Sequence, residues 1–254
     1  MADEVLQERR GHVEIVTINR PEARNAINRA TALALNDALD RAEADDDVWV
    51  VVLTAAGDKA FSAGMDLKAF ATGELPFTDN GFGGITNRTM SKPIIAAANG
   101  SALAGGFEIM ISCDMVVAAD HAKFGIPEAQ RGLVAGAGGL IRLPRRVPLA
   151  VALEMALTAD PIDAARAYEL GIVNRVVPGD QVLDVAIALA ERIAKNAPLA
   201  VRTSKRVMRL ASDIKEDEAW VINNEAFGMI GQTADALEGA VAFAEKREPN
   251  WRGA

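Results

Sequence analysis

Seven consecutive residues, Val48-Trp-Val-Val-Val-Leu-Thr54, offer water no polar side chain before the closing threonine. A run that short, apolar and β-branched reads as a strand covered on both faces, which requires a parallel sheet with helices packed against it. Ile94 to Ala98 and Met115 to Ala118 repeat the character. His12-Val-Glu-Ile-Val-Thr-Ile18 mixes alternation with β-branched residues and reads as a further strand, stopped by Pro21. Helical patterns alternate with these strands. The first runs from about Arg29 to Glu43, with Asn28 as N-cap and Leu33, Leu35, Leu39 and Ala42 among its apolar positions. Strand, glycine-bearing turn and helix in alternation specify an α/β core.

After Pro144 the pattern turns helical, over Leu149 to Thr158 and Asp163 to Leu170, the latter closed by Gly171 at C′. Ile172-Val-Asn-Arg-Val-Val177 reads as a last short strand. From Gly179 onward helices are punctuated by Pro198, Ser212 and Thr233. The reading divides the chain into a core over 1–198 and a helical part over 199–254, whose apolar faces predict an oligomer.

Charge and composition remove several functions. With 27 basic against 35 acidic residues and a net charge of −8, the chain lacks the basic surface that phosphate-backbone binding requires. Arg202, Lys205, Arg206 and Arg209 share one helix face, read as a solvated face. Cys113 is the only cysteine and His12 and His121 the only histidines, so neither a disulfide framework nor a histidine-rich metal site is available. The most apolar region, Pro93 to Ala119, is broken by Asn99, Gly100, Gly105, Gly106, Glu108 and Asp114 and makes a poor membrane span. The charged opening residues predict a cytoplasmic protein.

Elimination continues through the motifs. No phosphate loop, nucleophile elbow or Cys-x-x-Cys pair is present, and Gly136-Ala-Gly-Gly139 only approaches a dinucleotide fingerprint. Cys113 reads as a buried inert thiol and His121 as part of a surface turn. Glycine-bearing turns and carboxylates remain. Phe61-Ser-Ala-Gly-Met-Asp-Leu67 and Asn99-Gly-Ser-Ala-Leu-Ala-Gly-Gly-Phe-Glu108 each join a strand to a helix. Each can present a backbone N–H that has no intrahelical partner, and two converging donors are what an enolate-type oxyanion needs. Taken alone, either is also an ordinary tight turn. Glu108, among Phe107, Ile109, Met110 and Ile111, is either a helix-start charge or a half-buried acid with a shifted pKa. Glu128 follows Pro127 on a loop. Together with the two turns, the carboxylates form a set able to move protons beside a carbonyl.

At these residues the chain resembles the enoyl-CoA hydratase/isomerase (crotonase) superfamily over essentially its whole length. The matching segments are Asn19-Arg-Pro-Glu-Ala-Arg-Asn-Ala-Ile27, Ala60-Phe-Ser-Ala-Gly-Met-Asp-Leu-Lys68, Lys92-Pro-Ile-Ile-Ala-Ala-Ala-Asn-Gly100 and Ala104-Gly-Gly-Phe-Glu108. Phe124-Gly-Ile-Pro-Glu128, Gly136-Ala-Gly-Gly139, Gly171-Ile-Val-Asn-Arg-Val-Val177 and Phe243-Ala-Glu-Lys-Arg247 continue them in order. The resemblance implies an α/β spiral of ββα turns with a helical C-terminal trimerisation part, assembled as homotrimers or homohexamers. It implies an acyl-CoA substrate whose coenzyme A is part of the substrate, no separate cofactor, no metal and no nucleic-acid or membrane partner. Carried over by position, the N–H groups of Met65 and Gly105 form the oxyanion hole. Ala63, Asp66, Leu67 and Lys68 line the CoA path, and Phe243 and Lys246 approach CoA from the helical end of the same or a neighbouring subunit.

Both positions that carry glutamate in the hydratases carry it here, as Glu108 and Glu128. The implied reaction is hydration of a trans-2-enoyl-CoA, with Glu108 activating water and Glu128 delivering the α-proton. Three features depart from the family pattern: Ala104 where many hydratases have glycine, Ala135 where proline is common, and a glycine-rich stretch between Phe70 and Thr89 in the segment that usually shapes the acyl pocket. Alternatives are a carnitinyl-CoA dehydratase (crotonobetainyl-CoA hydratase), which uses the same glutamate pair, then an enoyl-CoA isomerase. From another class comes a non-catalytic RNA-binding relative.

Overall fold

A computed structural model describes residues 3–254. The chain opens with the hairpin β1 (Val5–Arg10) and β2 (Val13–Ile18), followed by α1 (Arg29–Ala44). Asn28 caps α1 by accepting the Thr31 N–H at 2.8 Å. Three strand–strand–helix turns follow. The first is β3 (Val50–Ala55), β4 (Ala60–Ser62) and α2 (Leu67–Ala71), after which comes the small hairpin β5 (Phe77–Thr78) and β6 (Gly81–Phe82). The second is β7 (Ile94–Ala98), β8 (Ser101–Leu103) and α3 (Gly105–Ser112). The third is β9 (Met115–Ala119), β10 (Lys123–Gly125) and a 3₁₀ turn at Pro127–Arg131. Next come α4 (Gly139–Arg146), α5 (Leu149–Thr158), β11 (Ile162–Asp163), α6 (Ala164–Glu169), β12 (Arg175–Val177) and α7 (Val182–Ala194). Helices α8 (Pro198–Ala211), α9 (Glu216–Ile230) and α10 (Ala234–Glu245) complete the chain.

Two sheets result. The larger has the order β1-β2-β3-β7-β9-β12, parallel from β2 onward. The smaller has the order β11-β10-β8-β4, with β4, β8 and β10 parallel. Every residue of β3 is buried, as its unbroken apolar run requires. Each turn of the spiral therefore leaves the large sheet, crosses the small one and enters a helix. Between the sheet strands and the helix starts lie β4 and β8, which the sequence reading merged into glycine turns. The last strand is shorter than expected: the amides of Ile172 and Val173 bond back to Ala167 O at 2.9 and 3.2 Å, finishing α6, so pairing begins only at Arg175.

The cationic face of α8 also differs from expectation. Arg202 donates to Val48 O at 3.3 Å, Lys205 to Lys92 O at 2.7 Å, and both Lys205 and Arg209 pair with Asp114 at 2.8 and 2.6 Å. Backbone carbonyls and a half-buried aspartate at the end of the large sheet recruit these charges, so the face docks α8 rather than facing water. Lys92, itself 1 % exposed, satisfies its ammonium on Ala42 O and Asp45 O at the end of α1. Among the described residues no helix is long and apolar enough to cross a membrane.

Candidate active site

The site begins where β4 and β8 end side by side. After Ser62 the chain turns through Gly64, at φ +87°, into α2, which Asp66 caps by accepting the N–H groups of Lys68 and Ala69. After Leu103 it turns through Ala104, at φ +51°, into α3. The two turns touch through bare backbone. A Cβ on Gly64 would lie 2.8 Å from Gly105 N, and one on Gly106 would lie 2.1 Å from Ser62 O. Only glycine permits that approach.

Neighbouring bonds fix which N–H groups remain free. The peptide before Met65 is held by Ile27 N–H donating to Gly64 O at 2.8 Å, and the one after it by Asp66 N–H donating to Ile27 O at 2.9 Å. Met65 N–H lies between them and meets no acceptor among the described residues. Gly105 is the first residue of α3, so its N–H has no intrahelical acceptor and carries the positive end of the helix dipole. The Phe82 ring covers this turn so closely that a Cβ on Gly105 would meet its edge at 2.6 Å. The geometry is that of paired donors held by rigid backbone.

The two carboxylates differ in their surroundings. Glu108, on the first turn of α3, is 2 % exposed, and its Oε1 accepts the N–H groups of Ala137 and Gly139, each at 2.8 Å. Burial raises its pKa, while the amides of Gly139 and Ala137 and the charge of Arg142 act against that rise. Glu128, in the 3₁₀ turn, is 9 % exposed, and its buried Oε2 has no hydrogen-bond partner. Burial pushes its pKa up to about 7, and the nearby Glu108 charge acts in the same direction. Both carboxyl groups are thus raised by burial, with the rise at Glu108 opposed by two loop amides and a cation and that at Glu128 opposed by its own backbone N–H and Arg131.

The remaining expected residues are placed less uniformly. Asp66 is committed to capping α2 and to an ion pair with Arg20 at 3.1 Å, while Ala63, Leu67 and Lys68 beside it are exposed. Phe243, 88 % exposed, and Lys246, at φ +57° just past α10, lie on the C-terminal helix. The bonds recorded for the end of the chain run from Trp251 to Lys195 O and from Asp235 to Ala254 O, so within one chain they tie this region to the ends of helices rather than to the oxyanion turns. Cys113 is fully buried and burial pushes its thiol up to about 12, in keeping with an inert core thiol. His121 lies in an exposed turn.

Three contributors escaped the sequence reading. Phe82 comes from the poorly matched stretch before Thr89. The amides of Ala137 and Gly139 belong to the Gly136–Gly139 element, whose glycines signalled a backbone cradle without saying for what. Arg142 lies one helical turn further on, and nothing in its local pattern distinguishes it from a surface arginine.

Against this geometry, the enoyl-CoA hydratase/isomerase family profile matches residues 8–254. The carnitinyl-CoA dehydratase of Proteus mirabilis is 41% identical over 252 residues, covering 96% of each chain. A crystal structure of enoyl-CoA hydratase from Mycobacterium tuberculosis superposes with a TM-score of 0.96 at 48% identity, over 99% of this chain and 100% of that one. One of carnitinyl-CoA hydratase from Mycobacterium avium does so with a TM-score of 0.81 at 45% identity, over 100% of both.

Proposed function

The chain belongs to the enoyl-CoA hydratase/isomerase family, and from that premise we propose that Glu108 and Glu128 serve as the acid–base pair of an enoyl-CoA hydratase. The enzyme is a hydro-lyase acting on acyl-CoA thioesters, adding water reversibly across the 2,3-double bond of a trans-2-enoyl-CoA. The observation that carries the residue assignment is the inequality of two buried carboxylates beside two unpartnered N–H groups.

The thioester oxygen accepts the Met65 and Gly105 N–H bonds, so charge developing there is stabilised and C3 becomes electrophilic. Glu108 takes a proton from water as its oxygen attacks C3. Glu128 gives its proton to C2 as the enolate collapses. Water is consumed, one C–O and one C–H bond form, and the two carboxyl groups end with their protons exchanged, to be reset through solvent. Coenzyme A enters as part of the substrate, and the scheme needs no further cofactor or metal.

Ala63, Leu67 and Lys68 are available to the CoA moiety on the exposed side of the Met65 turn, with Asp66 fixing α2. Phe243 and Lys246 reach CoA from a neighbouring subunit. That role fits a homotrimer or homohexamer built through 199–254 on the core of 1–198. Met208, Phe227, Leu237 and Phe243 support it, being 73%, 81%, 70% and 88% exposed on α8 to α10. A single buried thiol suits a reducing cytoplasm.

Loss of enone absorbance on mixing the protein with crotonyl-CoA and a longer 2-enoyl-CoA tests the reading. Rapid loss that disappears in Glu108→Gln supports it, and no loss with either thioester removes it. A carnitinyl-CoA substrate is the second reading, favoured by relatives such as the Proteus mirabilis dehydratase. Crotonobetainyl-CoA assayed beside crotonyl-CoA ranks the two by kcat/KM.

A further inference from the structure

The glycine loop that cradles Glu108 does not hold itself. Ala137 and Gly138 precede α4 and Gly139 opens it, and one turn into that helix Arg142 folds back over them. Its Nη1 donates to Ala137 O at 3.3 Å, and its Nη2 donates to the carbonyl of Thr86. A Cβ on Gly138 would lie 2.0 Å from Nη1, so the tip of the guanidinium abuts a bare Cα whose φ of +105° also favours glycine. Thr86 in turn accepts the Phe82 N–H on Oγ1 at 2.9 Å, and the Phe82 ring is the one that covers Gly105. One half-buried side chain therefore bonds to the wall that holds the carboxylate and to the wall that covers the oxyanion turn.

Building on the hydratase reading, we propose that Arg142 is a positioning residue, clamping the Ala137–Gly139 loop to the Phe82–Thr86 segment so that Glu108 is held in register with the oxyanion donors. Only a guanidinium has the fixed fork for both carbonyls; a lysine ammonium can reach one of them as a point charge. The same cation faces Glu108 across the loop, and the carboxyl group of Glu128 lies near Glu108 from the 3₁₀ turn. The other titratable groups acting on Arg142 are Arg209 on α8, Arg145 on α4 and the neutral Cys113 thiol. Removing the Arg142 charge takes away the cation that favours the ionised form of Glu108. The acidic limb of kcat/KM then moves to higher pH.

The test is the pH profile of crotonyl-CoA hydration by the full-length protein, as wild type, Arg142→Gln and Arg142→Lys, with Glu108→Gln as reference. Arg142→Gln is expected to lower kcat about tenfold or more with KM changed less than about threefold, and to raise the acidic limb. Arg142→Lys is expected to keep the limb near the wild-type position while still losing kcat, because charge survives and the fork does not. A wild-type limb together with wild-type kcat in either variant overturns the proposal. If Arg142→Gln fails to fold, the Lys variant decides through its kcat. An active Glu108→Gln would instead overturn the hydratase assignment, whatever the Arg142 variants do.

Discussion

The 3₁₀ turn of Glu128 and the glycine loop around Glu108 are two answers to the same problem, a carboxyl group taken out of water. The loop supplies Glu108 with two amide hydrogens at 2.8 Å and a cation behind them. The turn gives Glu128 a buried oxygen with no donor at all. Desolvation acts on both; what opposes it is two loop amides and Arg142 at Glu108, and its own backbone N–H and Arg131 at Glu128, where the pKa still reaches about 7. In the proposed mechanism, acid and base are distinguished by the surroundings of each carboxyl group, since the side chains are chemically identical.

The largest effect expected is on turnover. Glu108→Gln and Glu128→Gln should each lower kcat by at least about 10², on the scale of general acid–base catalysis; near-normal activity in either removes that residue from its role. The pH profile of the unmutated enzyme sharpens the contrast. With Glu128 as the proposed acid, kcat/KM should fall roughly tenfold per pH unit above about 7, the value to which burial lifts that group. The fall belongs to the interacting pair. A rate that stays flat from pH 6 to 9 would show that the proton on Glu128 is not needed.

Stability should separate the two residues next. The folded-state pKa of Glu128 lies near 7 against an ordinary value of 4.5, so the native state binds the extra proton between those values and loses stability as pH rises through that window. Glu128→Gln escapes this, and its stability relative to wild type should grow by on the order of 2 kcal/mol between pH 4.5 and pH 8. Urea unfolding at both pH values measures it, and an unchanged difference would mean Glu128 is not strained by its charge. The smallest effect falls on the loop alone. A Cβ on Gly139 would sit 3.1 Å from Glu108 Oε1, so Gly139→Ala should displace the carboxylate by tenths of an ångström. A several-fold loss of kcat, below about 10², is expected with little change in the alkaline limb.

Much of this was legible along the chain. The strand at 50–55 was written in consecutive β-branched residues, and the Asn28 cap and Gly171 terminus were written in local chemistry. Glu108 and Glu128, with the Met65 and Gly105 turns, were singled out through spacing and family likeness. What escaped is what depends on distant partners. The short strands β4 and β8 have too few residues for a period and exist because they pair with each other. The docking role of Arg202, Lys205 and Arg209 depends on carbonyls and an aspartate roughly a hundred residues away in sequence. Arg142 owes its place to Thr86, and neither residue type announces the other.

The close approach of Gly64, Gly105 and Gly106 has a consequence for how such an enzyme can change. The distance between the two proposed oxyanion donors is set by main chain resting on main chain at Gly64 and Gly106, leaving the Phe82 ring over Gly105 as the side chain that bears on it. The covering segment from Phe77 to Thr86 shares that constraint where it touches the turn, since the Phe82 ring seats on Gly105 and Thr86 holds the Phe82 N–H. A library aimed at this segment would therefore spare Phe82 and Thr86 and vary the exposed Leu75 and Phe77, where a new side chain need not disturb the main chain beneath.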